Sequence, residues 1–577
     1  MHTAELTPPI ISKNRQALTA FGITGVLFAL TYLVFGWYSD AYQSLLDYAI
    51  TGEYTGYFPK TGAGFPEYMG GAWEFFPWLG RIYPIRWMAF FLEALLFISM
   101  WVIYYQVLKQ TAKLAWLQRL SLILLLSIFF VESVALYHMV RIAMFLGIAG
   151  ITKLLEDDFS SKRLLPLNVL PYLLLFTLGC WVRYNVLLFV IVFMIAVVVI
   201  HRRSIKPLLP FIAVLVFFGT FNSTFLNKNR MNHLHFYFAY DAEFKLLFAG
   251  NYQPEVRLQN HTDSVKYEAL TQEFYADNVN LGRAFYERIG IFDNFRRFSS
   301  YTLDYAIQNF IDAMRANVYY LLIDLVLLFF YMIGGAGELK YYRLKTLALF
   351  TAFYGIVFLI CFLKMENRFL VPFQICFLLT ILFIHQPALF YSAKSSKFLL
   401  ACLLLWVPLT VYYTYVKVDE EQVYNVAYKK AFNGLVKQFG NGTFVIQEIL
   451  PINSRPYETF NYRTQFNKLY FYNYRTMPIS PPYQPYLEHE CNCSTDSFAP
   501  FYDYLYEKCQ PVVLLDRPSR IRTLQKYLAD VYNRNYIFKE VPMETDVHDN
   551  LRQLLGIDSI ATFTIEKKIS EQPAAPH

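Results

Sequence analysis

Charged residues are scarce in this sequence. Only 16% of its 577 residues are Asp, Glu, Lys or Arg, whereas 56% are hydrophobic. A soluble globular chain carries roughly a quarter charged residues, so the composition excludes an ordinary soluble protein. The formal net charge of +7 does not indicate a nucleic-acid partner, because the basic residues fall between hydrophobic blocks. The positive-inside rule accounts for basic residues in those places.

Several familiar classes of site are also missing. The sequence has no glycine-rich phosphate loop, no recognisable nucleophile motif and no internal repeat. Its seven cysteines do not have the spacing of a metal site. Three of them, Cys491, Cys493 and Cys509, lie near the C-terminus, and a disulfide from Cys509 to either of the others stays open if that region is outside the cytosol.

Long hydrophobic runs are abundant. They measure roughly 16 to 24 residues, about the length that crosses a bilayer, and each must be helical because lipid cannot satisfy a free backbone amide. The first run precedes Gly-Trp-Tyr-Ser-Asp rather than a small-x-small cleavage site, which predicts a retained span. We predict eleven spans, at residues 20–38, 85–108, 121–134, 137–155, 164–180, 184–200, 207–225, 318–333, 347–363, 369–384 and 398–415.

Basic residues near the ends of the spans predict the orientation. Lys13 and Arg15 precede the first span, so a cytoplasmic N-terminus is expected, and every loop then predicted to be inside is basic. The predicted fold class is a polytopic α-helical membrane protein of about eleven transmembrane helices, with a small C-terminal α/β extracytoplasmic domain. The predicted parts are a cytoplasmic N-terminus at 1–19, a transmembrane domain at 20–415 with external loops 39–84 and 222–317, and the soluble domain at 416–577.

The C-terminal region alternates strand and helix patterns. Phe444-Val-Ile and Val512-Val-Leu-Leu are β-branched or apolar runs typical of strands, and residues 519–532 have helical character. These patterns are the basis for the small α/β domain, to which no chemistry is assigned.

Five polar residues share one predicted depth, near the outer headgroup plane: Asp40, Glu132, Arg183, Lys364 and Arg368. Asp40 follows the first span, and Glu53 comes later in the same outer loop, between Gly52 and Tyr54. The remaining candidates lie in three outer turns. Glu132 is in the turn between the third and fourth spans, with His138 and Arg141 close by; Arg183 is in Trp-Val-Arg-Tyr-Asn; and Lys364 and Arg368 are in Lys-Met-Glu-Asn-Arg-Phe-Leu-Val-Pro.

These motifs and this topology resemble the GT-C superfamily of multi-span glycosyltransferases, over roughly residues 15 to 385. Its members include protein O-mannosyltransferases, aminoarabinose transferases of lipid A and oligosaccharyltransferases. The resemblance implies an inverting transfer of a sugar from a polyprenyl-phosphate-linked donor to a lipid, glycan or protein acceptor, at the outer face of the plasma (inner) membrane of a bacterium. Asp40 is followed by Ala41, where the mannosyltransferases have a second acid, and this departs from that branch.

The chemistry of such a transfer needs these residue types. An acceptor hydroxyl needs a general base, usually a carboxylate in sugar transfer, and cations stabilise the charge that grows on a phosphate leaving group. We therefore expect Asp40 to be the base and Glu132 a second catalytic acid. Substrate binding is expected from Arg183 and Arg368 on phosphate, and from Lys364, His138, Arg141 and Glu53. The resemblance leaves a divalent cation, Mg or Mn, open.

Other interpretations remain open. Asp40 could be a solvated helix-end carboxylate, and the arginines could be snorkelling cations. Glu93 and Asp324 lie inside predicted spans, where a structural partner is expected. The rival functions are a multi-span lipid or glycan transporter or flippase, an envelope polysaccharide polymerase or ligase acting through loop 222–317, and a scaffold without catalysis. A transporter is expected to show internal repeats, and none is evident.

Overall fold

The structure is a computed structural model. It describes residues 13–35, 38–39, 84–112, 114–136, 139–157, 167–221, 256–272, 277, 279–291, 300–333, 339–362, 367–389, 393–439, 443–447, 457–458, 469–472, 502–503, 505–507, 512–555 and 559–567.

Helices dominate the first three quarters of the described chain, and strands come after them. The helices in chain order are α1 (Lys13–Phe35), α2 (Pro84–Gln110), α3 (Trp116–Ala135), α4 (Met139–Glu156), α5 (Leu170–His201), α6 (Leu209–Phe221), α7 (His261–Thr271), α8 (Arg283–Ile289), α9 (Ser300–Ala316), α10 (Val318–Ile333), α11 (Leu339–Cys361), α12 (Asn367–Leu389), α13 (Ala393–Phe439), α14 (Pro518–Tyr532) and α15 (Thr545–Leu555). The strands are β1 (Tyr38–Ser39), β2 (Thr443–Gln447), β3 (Tyr457–Glu458), β4 (Leu469–Tyr472), β5 (Val512–Asp516), β6 (Tyr536–Val541) and β7 (Ala561–Lys567).

The protein is an α-helical membrane protein. Within the described residues, six helices are long and apolar enough to cross a bilayer, and three shorter apolar helices accompany them. Each of the eleven predicted spans overlaps one of the helices from α1 to α13. The short third span, predicted at 121–134, is a full helix of 20 residues because Trp116 and the residues after it extend it at its N-terminal end. The number of membrane crossings stays a prediction.

Helix α5 contains two of the predicted spans. Arg183 inside it has non-helical angles, φ −164° and ψ 86°. A δ carbon of Leu187 lies 3.0 Å from the position of a Cβ on Gly179, although eight residues of straight helix would separate their Cα atoms by about 12 Å. The helix therefore bends sharply at Arg183, where the sequence predicts an outer turn.

Helix α4 lies at the centre of the bundle and packs against α2, α5 and α12. Every residue from 140 to 155 is buried. Close approach to α5 depends on glycine, because a Cβ on Gly150 would lie 2.8 Å from the carbonyl oxygen of Tyr172. Small residues allow this backbone contact between apolar helices.

Buried acids inside the apolar helices have structural partners, as expected. Asp324 on α10 is 1% exposed, and its Oδ2 accepts hydrogen bonds from Tyr354 at 2.8 Å and from Gln374 at 3.2 Å. Glu93 on α2 is also buried. Both carboxylates face the bundle rather than lipid, which fits the cost of a charged group in hydrocarbon.

The C-terminal strands form one mixed sheet in the order β4-β2-β5-β7-β6. Strands β4, β2 and β5 are parallel, and β7 is antiparallel to both β5 and β6. The strands predicted at 444–446 and 512–515 and the helix predicted at 519–532 are confirmed as β2, β5 and α14.

Helices α7 and α8, from the loop between α6 and α9, share a hydrophobic core with this sheet and with α14. Buried Asp277 accepts hydrogen bonds of 2.6 Å from both Tyr527 and Tyr532. Burial raises the pKa of Asp277 above its usual range, although these hydroxyls act in the opposite direction. The loop and the C-terminal region therefore make one folded unit.

Helix α13 links that unit to the bundle. It has 47 residues and continues well past residue 415, where the last predicted span ends. At its far end, Gln438 donates a hydrogen bond of 2.7 Å to the carbonyl of Pro542, and a Cβ on Gly434 would lie 2.5 Å from a methyl group of Val547 on α15. A second link is the antiparallel pairing of β1 with β3, in which Ser39 lies opposite Tyr457.

Candidate functional site

Glu132 is the centre of a buried polar cluster at the end of α3. Its side chain is 1% exposed, and its Oε1 lies 2.7 Å from Nη2 of Arg141, which is 4% exposed. Its Oε2 lies 2.8 Å from Nζ of Lys417 on α13. Each cation contacts a different oxygen of the carboxylate, so both oxygens accept charge-assisted hydrogen bonds.

Two tyrosines at the start of α10 complete the cluster. The hydroxyls of Tyr319 and Tyr320 both donate hydrogen bonds to Glu132 Oε2, the second at 3.1 Å. The Tyr319 ring stacks on Tyr413 with centroids 4.7 Å apart, and Lys417 Nζ lies 5.5 Å from the Tyr319 centroid. Four helices, α3, α4, α10 and α13, therefore meet at one carboxylate.

The cluster carries more positive than negative charge. Arg141 and Lys417 contribute two positive charges and Glu132 one negative charge, a sum of +1. Arg141 Nη1 donates to the carbonyls of Glu132 and Leu136 at 2.7 and 2.9 Å, but its buried Nε has no partner in the described part of the chain. Lys417 is 23% exposed, so the cluster can be reached from outside the protein.

The saturation of Glu132 bears on its predicted role. A carboxylate that accepts from two cations and two tyrosines has little remaining capacity to take a proton from a substrate. These contacts fit a residue that positions Arg141 and Lys417. The role of Glu132 as a second catalytic acid stays a prediction.

The predicted site residues fall into three groups. Glu132 and Arg141 are in contact, as their places on either side of the turn between α3 and α4 suggest. Arg183 lies at the bend of α5, where neighbouring Gly179 touches the backbone of Ala143 on α4, and its side chain is partly buried. Arg368 is in the first turn of α12, with its side chain outside the described residues, as are Asp40, Glu53, His138 and Lys364 entirely.

The backbone next to Asp40 is nevertheless located. Tyr38 and Ser39, directly before Asp40, pair with Glu458 and Tyr457 of the C-terminal region. Phe35, at the end of α1, packs with Ala135 and Val418, the neighbours of the Glu132 cluster on α3 and α13. The start of the Asp40 loop and the cluster are therefore at the same end of the bundle.

An apolar groove begins at this end. It has a volume of about 530 Å³ and lies between α1, α3 and α13. Phe35, Val131 and Val411 line it next to the cluster. From there it follows α1 back to Thr19.

No group of three or more His, Cys, Asp or Glu side chains within the described ranges could hold a metal ion. The divalent cation that the resemblance leaves open stays a prediction. Cys491, Cys493 and Cys509, between which a disulfide stays open, lie outside the described residues.

Comparison with protein families, with characterised proteins and with solved structures gave no match to this chain.

Sequence reasoning missed Lys417, Tyr319, Tyr320 and the groove. Lys417 lies 285 positions from Glu132 in the chain, and a lysine just after the last apolar run resembles an ordinary interfacial cation. The paired tyrosines open an apolar helix, where aromatic residues are common. One signal in the sequence could have identified Lys417, Tyr319 and Tyr320, because all three residues lie near the predicted outer ends of spans.

Proposed function

We propose that this protein is a glycosyltransferase that moves a sugar from a polyprenyl-phosphate-type lipid donor to an acceptor on the outer face of the plasma membrane, with inversion. The observation that carries the proposal is the cationic Glu132–Arg141–Lys417 cluster beside an apolar groove. A lipid-linked sugar is amphiphilic, with its chain in the bilayer, its phosphate at the interface and its sugar in water. Adjacent apolar and cationic surfaces suit such a molecule.

In this proposal Asp40 is the base that takes the proton of the acceptor hydroxyl. The loop that holds it starts at β1, at the same end of the bundle as the cluster. Arg141 and Lys417 stabilise the developing charge on the leaving phosphate, together with Arg183 and Arg368. Glu132 holds the first two cations in place, which differs from the acid role expected from the resemblance.

The proposal includes a topology of about eleven spans with the N-terminus inside. The sheet of β2 and β4 to β7, with α7, α8 and α14, is then an extracytoplasmic unit. Helix α13, which carries Lys417, connects this unit with the bundle. This position suits a part in acceptor recognition.

The test replaces Asp40 by Asn and compares envelope glycans of the variant, the wild type and a deletion strain by mass spectrometry. Asp47→Asn is the matched control, because it removes a carboxylate from the same loop. Membrane abundance of each variant is measured by immunoblot. We expect the deletion and Asp40→Asn to lack the same sugar, while Asp47→Asn retains it.

Two outcomes contradict parts of this proposal. If a glycan is missing from the deletion strain but present in Asp40→Asn, then Asp40 is not the base, although the protein can still be a transferase. Glycans unchanged in the deletion contradict the transferase itself and favour a lipid transporter, which a groove for a lipid chain also suits.

A further inference from the structure

Asp324 on α10 differs from Glu132 in the charge of its partners. Glu132 is held by two cations. Asp324 is 1% exposed, and within the described part of the chain its hydrogen-bond partners are the neutral side chains of Tyr354 and Gln374. A buried carboxylate with no cation beside it is costly, because nothing replaces the hydration that its charge has lost.

Two oxygens of this group also lack hydrogen-bond partners. Asp324 Oδ2 accepts from Tyr354 at 2.8 Å and from Gln374 Nε2 at 3.2 Å. Asp324 Oδ1 and Gln374 Oε1 are buried and have no partner among the described residues, and Gln374 is likewise 1% exposed. Buried acceptors are normally satisfied, so two unsatisfied oxygens in side chains that contact each other indicate a ligand.

The three side chains come from three helices that pack together, α10, α11 and α12. Asp324 is six positions after the first residue of α10, Tyr354 is seven before the last residue of α11, and Gln374 is seven after the first residue of α12. At 1.5 Å per residue, each lies about 9 to 11 Å from the nearer helix end. A small ion therefore has only a short distance to travel from the ends of these helices.

Phenylalanine rings lie beside the polar group. The ring of Tyr354 contacts Phe350 and Phe353, with centroids 4.5 and 5.0 Å apart. Phe350 also contacts Phe377, which follows Gln374 by about one turn of α12. An apolar surrounding of this kind strengthens the attraction between a carboxylate and a cation.

The two unsatisfied oxygens and the unbalanced charge restrict the kind of ligand. A water molecule could donate to both oxygens but would leave the charge, whereas a proton would remove the charge but satisfy only one oxygen. A metal cation does both. It must be monovalent to balance a single carboxylate, since a divalent ion would leave one positive charge buried.

We propose that Asp324 and Gln374 form a binding site for a monovalent metal cation, which contacts Asp324 Oδ1 and Gln374 Oε1 between α10, α11 and α12. The bound ion holds these three helices together. On α10, Asp324 lies one turn after Tyr320 and on the same face, so the ion also fixes the helix that brings Tyr320 to Glu132. The site does not depend on sugar transfer.

The experiment measures equilibrium binding of radiolabelled Na⁺ to the purified full-length protein, at constant pH and ionic strength. We expect Asp324→Asn to weaken binding about tenfold or more, which corresponds to about 1.4 kcal/mol, because it removes the charge. Gln374→Leu keeps the charge and removes one oxygen, so its loss should be smaller. Asp312→Asn is the matched control, because Asp312 is an exposed acid on α9, and it should bind as the wild type does.

Melting temperatures show whether the variants fold. A ligand that binds the folded state stabilises it, so the wild type should melt higher in sodium chloride than in choline chloride of equal ionic strength. Asp324→Asn should melt at the same temperature in both salts. In choline chloride it should melt no lower than the wild type, because a neutral amide replaces the unbalanced carboxylate.

Three results would overturn the site. The first is Na⁺ binding that is absent from the monodisperse wild type or undiminished in Asp324→Asn. The second is a wild type that is stabilised by acid and not by Na⁺, which would mean that Asp324 holds a proton. The third is displacement of Na⁺ by an equal concentration of Mg²⁺, which would exclude a monovalent site.

Discussion

At the scale of single residues, Glu132 shows how a buried charge can be retained in an apolar bundle. Two cations and two tyrosines surround it, so its desolvation is offset by direct contacts. Such a pair is costly to break, because removal of one partner leaves the other buried and unpaired. The arrangement also holds Arg141 and Lys417 at fixed positions.

Glu132→Gln is expected to destabilise the protein by about 3 to 5 kcal/mol, the range for a broken buried ion pair. Arg141→Gln alone is expected to be milder, since Lys417 still faces the carboxylate. SDS-induced unfolding of the detergent-solubilised protein measures the loss of stability in each single variant and in the double variant, which completes a double-mutant cycle. Because the two side chains are in contact, the double variant should lose less free energy of unfolding than the sum of the two single losses. Additive losses would show that the two residues do not interact.

Asp277 predicts a pH dependence in the folded unit of α7, α8, α14 and the C-terminal sheet. Burial raises its pKa in the folded state, so the unfolded chain ionises first as the pH increases. The stabilising contribution is complete below the ordinary pKa of about 4 and is lost as the pH rises through the raised folded value. Asp277→Asn remains neutral and still accepts from the tyrosine hydroxyls. The melting temperature of Asp277→Asn minus that of the wild type should therefore increase between about pH 4 and neutral pH. A difference that stays constant over this range would contradict the prediction.

At the scale of elements, glycine determines how closely α4 and α5 approach. Gly150→Leu places a side chain against the backbone oxygen of Tyr172, which a Cβ alone would approach to 2.8 Å. A backbone atom cannot move aside as the end of a flexible side chain does. We therefore expect the free energy of unfolding to fall by more than about 3 kcal/mol, the upper end of the usual cost of overpacking. Gly355→Leu on α11 is the control, because a Cβ there meets no atom within 4 Å. The yield of monodisperse protein and its melting temperature measure the effect. Equal behaviour of the two variants would count against close packing of α4 on α5.

Element positions follow from the sequence far better than the site does. Runs of apolar residues must be helical in lipid, and each predicted span overlaps a helix. Polar residues carry no such constraint. Glu132 and Arg141 are separated by one turn and could be paired from the sequence, whereas Lys417 joins them only because α13 packs against α3. The extension of α13 to Phe439 was missed for a related reason, since the polar part of this helix contains no hydrophobic run that would predict it.

At the scale of the whole molecule, α13 carries Lys417 near its middle and contacts α15 at its far end. One continuous helix therefore connects the Glu132 cluster with α15. Gly434→Leu would push α15 away through Val547 and weaken this connection. We expect greater proteolysis of the C-terminal region, with little change in the melting of the helix bundle. Unchanged proteolysis would contradict a close contact between α13 and α15.

The central claim, transfer of a sugar from a lipid phosphate donor, is tested most directly by the lipid-linked sugars of cells that lack the protein. Lipid extracts of deletion, wild-type and complemented cells are compared by mass spectrometry. The account predicts that one polyprenyl-phosphate sugar accumulates in the deletion, because its consumer is gone, and returns to the wild-type level on complementation. A lipid-linked sugar pool identical in all three strains would contradict it.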